Sequence, residues 1–87
     1  MKQSIDRKAV LAAIHNGGRV ETYNQNSSGV LWIKKWRYSE ALGYWSLLAT
    51  AGEVYKHTHD NQNDFLKALL QEMEQYYYRV ITNETIN

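Results

Sequence analysis

The absence of cysteine from a chain of only 87 residues limits most strongly what this protein can fold into. A domain of this size buries about 60–65% of the surface of its unfolded chain, and many domains of similar length rely on disulfides or a structural metal. Without cysteine there is no disulfide, no thiolate zinc site and no cysteine nucleophile. One hydrophobic core, or a partner subunit, must therefore hold the fold together.

Aromatic residues are the unusual part of the composition. Three Trp, seven Tyr and one Phe are present, and all of them lie at or after Tyr23. Each large ring adds much buried area to a small core, which favours a packing role. A core this small does not have room for every ring, so a stacking or partner-binding surface is the second interpretation.

Charge and hydropathy exclude several classes of protein. Judged by net charge alone, the value of +1 excludes a strongly basic histone-like binder and an acidic mimic of DNA. No apolar run approaches the ~18–20 residues that span a bilayer, and residues 1–13 contain no apolar stretch typical of a signal peptide. We therefore expect a single cytoplasmic domain over residues 1–82, followed by a flexible tail over 83–87.

Apolar periodicity and turn-forming residues predict an α+β domain in which N- and C-terminal helices pack on a small antiparallel sheet that contains a β-hairpin. Ser4 is expected to cap the first helix, Gly17 to end it and Asn61 to cap the last helix. The hairpin loop has four or five residues, which leaves the register of its strands open. The predicted elements are a helix over 4–16, strands over 19–25, 29–38 and 53–59, and a helix over about 61–75.

Residues 39–51 fit two structures. As a helix, the segment has Ser39 as its N-cap and Gly52 at its end, with an apolar stripe along one side, and this is the favoured interpretation. As a strand, residues 44–50 would turn near Gly52 into the next strand. The predicted order is α-β-β-α-β-α, in which the middle helix is replaced by a further strand if the second structure forms.

Cations alternate with aromatic rings over residues 34–38, which is the best indication of function. On a strand, Lys34 and Trp36 point to one face, while Lys35 and Arg37 point to the other. Cations that hold phosphates beside rings that stack on bases are typical of proteins that bind single strands. The alternative is that the Trp rings enter the core and the cations are solvated. The candidate binding residues are Trp32, Lys34, Lys35, Trp36, Arg37 and Tyr38.

Tyr76, Tyr77 and Tyr78 form a second candidate site. Residues 76–82 either continue the last helix or switch to a strand. On a helix, three consecutive rings would point around about 300° of the circumference and could not share one core. At least one ring would be exposed or would lie in an interface, where tyrosine is enriched. These three residues are therefore candidate contacts with a partner or a second copy.

His57 and His59 are weak candidates for a metal site. On a strand the two imidazoles point the same way, and Asp60 or Asp64 could add an oxygen ligand. Zinc needs at least three protein ligands, and a polar strand end that leads into a helix cap explains the same residues. No serine lies in a nucleophile-elbow motif, and no glycine-rich phosphate loop is present. We therefore expect neither enzyme activity nor a cofactor.

The leading hypothesis is a small non-catalytic protein that binds a protein partner or a second copy of itself. The alternative hypothesis is binding of single-stranded nucleic acid or RNA through the basic-aromatic strand 32–38. In size and composition the chain resembles small accessory proteins encoded by phages and other mobile elements, a resemblance that no motif carries. The residues expected in the core are Ile14, Leu31, Ile33, Leu69 and Met73.

Overall fold

A computed structural model describes residues 5–82, and they form a small α+β domain, as predicted. Ser4, the expected N-cap, and the expected tail over 83–87 lie outside the described residues. Asp6 caps the first helix, because its carboxylate accepts a hydrogen bond from the Ala9 N–H at 3.1 Å. The elements are α1 (Arg7–His15), β1 (Arg19–Asn26), β2 (Gly29–Ser39), β3 (Gly43–Thr50), β4 (Val54–Thr58), α2 (Gln62–Gln75) and β5 (Tyr77–Ile81).

All five strands form one antiparallel sheet in the order β4-β3-β2-β1-β5. Strands β1 to β4 follow one another as a meander, and α2 then crosses from the β4 edge to the β5 edge. A helix of 14 residues is about 21 Å long, and the four gaps between five strands span about 19 Å. The length of α2 therefore matches the width of the sheet that it crosses.

The β1–β2 hairpin is present, and the structure resolves its register. Asn24 lies opposite Trp32, whereas Gln25 lies opposite Val30, so Leu31 is the extra residue of a β-bulge. Simple alternation along the strand would put Val30 and Trp32 on the same face of the sheet. Because of the bulge, they lie on opposite faces. At the turn, Gly29 has a φ of 125°, which favours glycine.

The favoured helix over residues 39–51 is wrong, because this segment turns and returns as β3. The Ser39 hydroxyl does accept a hydrogen bond from the Leu42 N–H at 3.1 Å, the contact expected of an N-cap. Here that contact closes a turn. Gly43 follows the turn as the first residue of β3 and has a φ of 72°. The element order is therefore α-β-β-β-β-α-β.

The chain stops being helical at Tyr76, which has an extended backbone with φ −126° and ψ 175°. Residues after it form β5, which pairs with β1 and puts Tyr77 opposite Tyr23. Of the two structures left open for residues 76–82, the strand is the one that forms, and alternate rings therefore point to opposite faces of the sheet. Neither α1 nor α2, the two helices of residues 5–82, is long and apolar enough to cross a membrane.

Both helices pack on the same face of the sheet, where they build the core. The fully buried Trp36 ring packs edge-on against Phe65 at 5.7 Å, and its Nε1–H donates to Thr22 Oγ1 at 2.9 Å. Thr22 in turn donates to Glu72 Oε1 at 2.9 Å, which satisfies a buried hydroxyl. The buried apolar residues are Val10, Ala13, Ile14, Val20, Trp36, Phe65, Leu66, Leu69 and Met73.

The expected core was partly correct. Ile14, Leu69 and Met73 are buried, which confirms three of the five predicted positions. Leu31 is 47% exposed and Ile33 is half-buried. The two predictions fail for different reasons, because Ile33 points away from the helices and Leu31 lies in the bulge.

Candidate binding face

The sheet face opposite the helices, here called the open face, carries three rows of side chains that run across the strands. In the order β5, β1, β2, β3, β4, the first row is Tyr77, Tyr23, Ile33, Ala49 and Val54. The second row is Arg79, Glu21, Lys35, Leu47 and Lys56. The third row is Ile81, Arg19, Arg37, Trp45 and Thr58. Apart from Glu21, these side chains are half-buried or exposed.

Positive charge is concentrated on the open face. The whole chain has 10 basic and 9 acidic residues, which nearly balance. On the open face the single carboxylate among the described residues is Glu21. It is accompanied by five cations, Arg19, Lys35, Arg37, Lys56 and Arg79. A surface of one sign attracts ligands of the other sign, so this face favours an anionic ligand even though the net charge is small.

Glu21 anchors two of these cations. Its carboxylate accepts hydrogen bonds from Arg19 Nε and Arg79 Nε, both at 2.6 Å, and its side chain is only 3% exposed. Burial raises the pKa of Glu21, but the hydrogen bonds and charges of the two guanidinium groups outweigh it and hold the pKa below the ordinary 4.5. Both contacts use Nε, which leaves the terminal nitrogens of each guanidinium to donate to a ligand.

Acid is expected to weaken the fold through Glu21. Because its pKa is lower in the folded state, its stabilising contribution is complete above the unfolded pKa of about 4.5 and is lost as the pH falls through the folded value. The urea midpoint of the wild type should therefore exceed that of Glu21→Gln at about pH 6, and the difference should shrink toward about pH 3. The control is Glu40→Gln, an exposed carboxylate in the β2–β3 turn. A difference that stays constant or grows in acid would contradict this assignment.

Two tyrosines form a stacked pair at the β1–β5 side of the open face. The rings of Tyr23 and Tyr77 are 5.6 Å apart with planes inclined by 22°, and Tyr77 is 53% exposed. The Arg79 guanidinium lies 5.4 Å from the Tyr23 ring, within cation–π range. At the opposite side, the indole Nε1 of half-buried Trp45 is buried and has no hydrogen-bond partner. The open face thus combines exposed rings with cations.

The predicted basic-aromatic segment is divided between the two faces of the sheet. Lys35 and Arg37 lie on the open face, whereas Lys34 lies on the helix face, as alternation predicted. There Lys34 pairs with Glu72 at 3.1 Å and its ammonium lies 4.4 Å from the Trp36 ring centroid. Trp36 is fully buried, so its ring is not available to stack on a base. The six candidate residues therefore do not form one site.

Trp32 and Tyr38, the other predicted binding residues, lie on the helix face at opposite ends of β2. Trp32 meets Tyr76 edge-on at 4.9 Å and lines a small cleft of about 270 Å³ together with Lys34 and Glu72. Tyr38 contacts the Tyr44 ring at 4.7 Å. These contacts explain both rings as packing around the rim of the core.

The three consecutive tyrosines also separate. Tyr77 belongs to the open face, whereas Tyr78 points to the helix face, and Tyr76 contacts Trp32 on that same side. All three are substantially exposed, with 38%, 53% and 38% of their surfaces accessible for Tyr76, Tyr77 and Tyr78. Their contribution to an interface stays a prediction.

The two candidate metal-binding histidines pack at the edge of the core. The rings of His57 and His59 are 4.5 Å apart, and His59 stacks on Trp36 at 5.7 Å. Burial lowers the pKa of His59, and the nearby His57 and Lys34 lower it further. Within residues 5–82 no group of three or more metal-ligating side chains is arranged to hold an ion. Packing against Trp36 accounts for His59 without a metal.

Five residues of the open face were not among the candidates from the sequence, because they come from four other strands. The pattern that could have revealed these residues is alternation along each strand combined with the register between strands. The sequence did not determine that register. The positions that were missed are Arg19, Tyr23, Trp45, Lys56 and Arg79. The arrangement can hold an anionic chain and stack flat rings beside it. No protein-family model, curated protein or solved structure matches this chain.

Proposed function

We propose that this is a non-catalytic binding protein whose open face binds single-stranded nucleic acid. The observation that supports the proposal is the presence of five cations and two stacked, partly exposed tyrosines on one sheet face that neither helix covers. Proteins that bind single strands combine a positively charged surface with aromatic rings on which bases stack. The proposal keeps Lys35 and Arg37 from the sequence interpretation and replaces Trp32 and Trp36 with Tyr23 and Tyr77.

A single strand fits this face better than a duplex. The major groove of DNA admits a helix or a narrow two-stranded ribbon, whereas the open face is a sheet about 19 Å wide. Both helices lie on the other side of the sheet, and α2 carries Asp64, Glu72 and Glu74, whose charge disfavours contact with phosphates. A flexible single strand can follow a broad surface and present its bases to the rings.

A protein partner, the leading hypothesis from the sequence, could use the same face. The apolar side chains of the first row, such as Ile33 and Val54, suit such a partner. However, the neighbouring rows would place Lys35, Arg37 and Lys56 under it, and each cation would need an acidic group opposite to avoid a desolvation cost. Charge therefore favours nucleic acid, and a protein interface becomes one outcome of the test.

Neutralising the open-face cations should weaken binding and flatten its salt dependence. The test variant is Lys35→Gln/Arg37→Gln/Lys56→Gln, measured by fluorescence anisotropy with a labelled oligonucleotide of mixed sequence. Each lost phosphate contact removes about 0.7 from the slope of log K against log salt, so the slope should fall by up to about 2. Affinity at about 50 mM salt should fall by roughly 10- to 100-fold.

The matched control removes the same charge elsewhere. This control variant neutralises three exposed cations on the two helices and is Arg7→Gln/Lys8→Gln/Lys67→Gln. Its affinity for the oligonucleotide should differ from that of the wild type by less than about threefold. Equal losses in both triple variants would show that binding is a diffuse charge effect, and the proposal would fail. Size-exclusion chromatography with light scattering tests the protein-interface hypothesis. A dimer that persists at high salt and does not bind the oligonucleotide would support that hypothesis instead.

A further inference from the structure

Resting on the proposed function, we infer that Tyr77, Tyr23 and Arg79 form a subsite for one nucleotide, in which the base stacks on Tyr77 and the phosphate is bound by Arg79. This assignment names the part of the open face that recognises a base. The remaining cations of that face would contact phosphates without regard to the bases.

The Tyr77 ring is held in place on one side and accessible on the other. One side faces Tyr23 at 5.6 Å in a stacked arrangement. Because β5 is an edge strand, no strand of the described residues lies beyond Tyr77. Tyr77 is 53% exposed, so the residue stays accessible although its ring packs on Tyr23. A base that stacks there extends the existing pair by one ring, at a gain that depends little on base identity.

Arg79 lies at the right place for the phosphate of the same nucleotide. It is two residues further along β5 and on the same face, which puts the two side chains about 6.6 Å apart along the strand. The side chain is oriented by two contacts, the 2.6 Å hydrogen bond to Glu21 and the Tyr23 ring at 5.4 Å. It remains 58% exposed, so an oriented guanidinium faces solvent beside the stacking ring. Binding a phosphate there would cost little additional ordering.

Glu21 does not oppose an anion at this subsite. Its carboxylate is shared between Arg19 and Arg79, and its side chain is 3% exposed. The three groups together keep one positive charge, and the two guanidinium groups form the accessible part. Lys35, which lies opposite Glu21 on β2, adds a further cation next to them.

The test compares chains that have phosphates with and without bases. A twelve-residue oligothymidylate and an abasic chain of the same length are titrated with the wild type and with Tyr77→Ala. Tyr77→Ala should weaken binding of oligothymidylate by about 5- to 100-fold, the loss expected for one stacked base. It should leave binding of the abasic chain and the salt slope of both chains unchanged, because no phosphate contact is removed. Tyr77→Trp should restore the affinity for oligothymidylate.

The matched control is Tyr55→Ala. Tyr55 is 52% exposed and lies on the other edge strand, on the helix face, so its loss should affect neither chain. Circular dichroism of each variant checks that the fold is retained. If the wild type binds neither chain, the proposed function itself fails. If it binds both chains equally well and Tyr77→Ala changes neither affinity, the open face recognises phosphates alone and the subsite is overturned while the proposed function stands.

Discussion

Replacing Trp36 with alanine is expected to lower the free energy of unfolding by about 3–5 kcal/mol. The ring is fully buried, packs against Phe65 and His59, and donates its Nε1–H to Thr22. Alanine would leave a cavity at the centre of the helix–sheet interface and would remove a buried hydrogen bond. Urea denaturation followed by circular dichroism measures the loss. It would be a large part of a total stability of about 5–10 kcal/mol.

Trp32→Ala is the matched control for this experiment. Trp32 lies four residues earlier on the same strand and face but is only half-buried, so its replacement should cost less than half as much. Similar losses in the two variants would show that Trp36 is not the centre of the core. A Trp36→Ala variant that keeps its urea midpoint but loses oligonucleotide binding would return the stacking role to the basic-aromatic strand.

Replacing Leu69 with alanine is expected to cost about 2–4 kcal/mol, the second-largest effect. Leu69 is completely buried on α2 and belongs to the same core cluster as Ile14 and Met73. Removing its three outer carbons leaves a cavity that a rigid helix on a sheet cannot close. The urea midpoint should fall without a change in the denaturant slope.

Leu70→Ala, one position further along α2, is the control for Leu69. Leu70 is half-buried and packs against the cluster without belonging to its buried residues. Its loss should be clearly smaller than that of Leu69. If the two losses were equal, the face of α2 that meets the sheet would be assigned wrongly.

Elements whose capping residues, apolar spacing or turn residues lie within the element itself were predictable from the sequence. The second helix is one of these, because the Asn61 side chain accepts a hydrogen bond from the Asp64 N–H at 2.9 Å and buried residues follow at helical spacing. The β-hairpin is another, since its turn is rich in glycine, asparagine and serine. Its register was not predictable, because the bulge at Leu31 depends on how the two strands meet.

The segment 39–51 shows why local signals can mislead. Ser39 makes the hydrogen bond of an N-cap, yet the chain then turns back instead of continuing as a helix. Ser46 is a polar residue at a buried position, which weakens the alternation of apolar and polar residues typical of a strand. In the sheet Ser46 lies opposite Trp36, and a small side chain there leaves room for the large indole. The requirement comes from a strand ten residues earlier, so no local pattern reveals it.

The candidate site was predictable only in part, for a related reason. Alternation along one strand correctly put Lys35 and Arg37 on the same face. The residues that complete the site lie far away in the chain, and Arg79 reaches Glu21 across 58 positions. Pairing between strands of such separation depends on the whole topology. Lys34, by contrast, was expected among the binding residues, but its ammonium pairs with Glu72.

The pairing of β5 with β1 links the proposed binding site to the completion of the sheet. The innermost pair is Tyr23 and Tyr77, so the chain must close a loop of more than fifty residues before these strands meet. Contacts of such long range slow folding, and until they form, β1 presents an unpaired edge to other molecules in solution. Both Tyr77 and Arg79 arrive with this last strand. A partly folded chain that holds only the β1–β4 meander would lack Tyr77 and Arg79 of the proposed nucleotide subsite, so under this proposal affinity for a base would report that the sheet is complete.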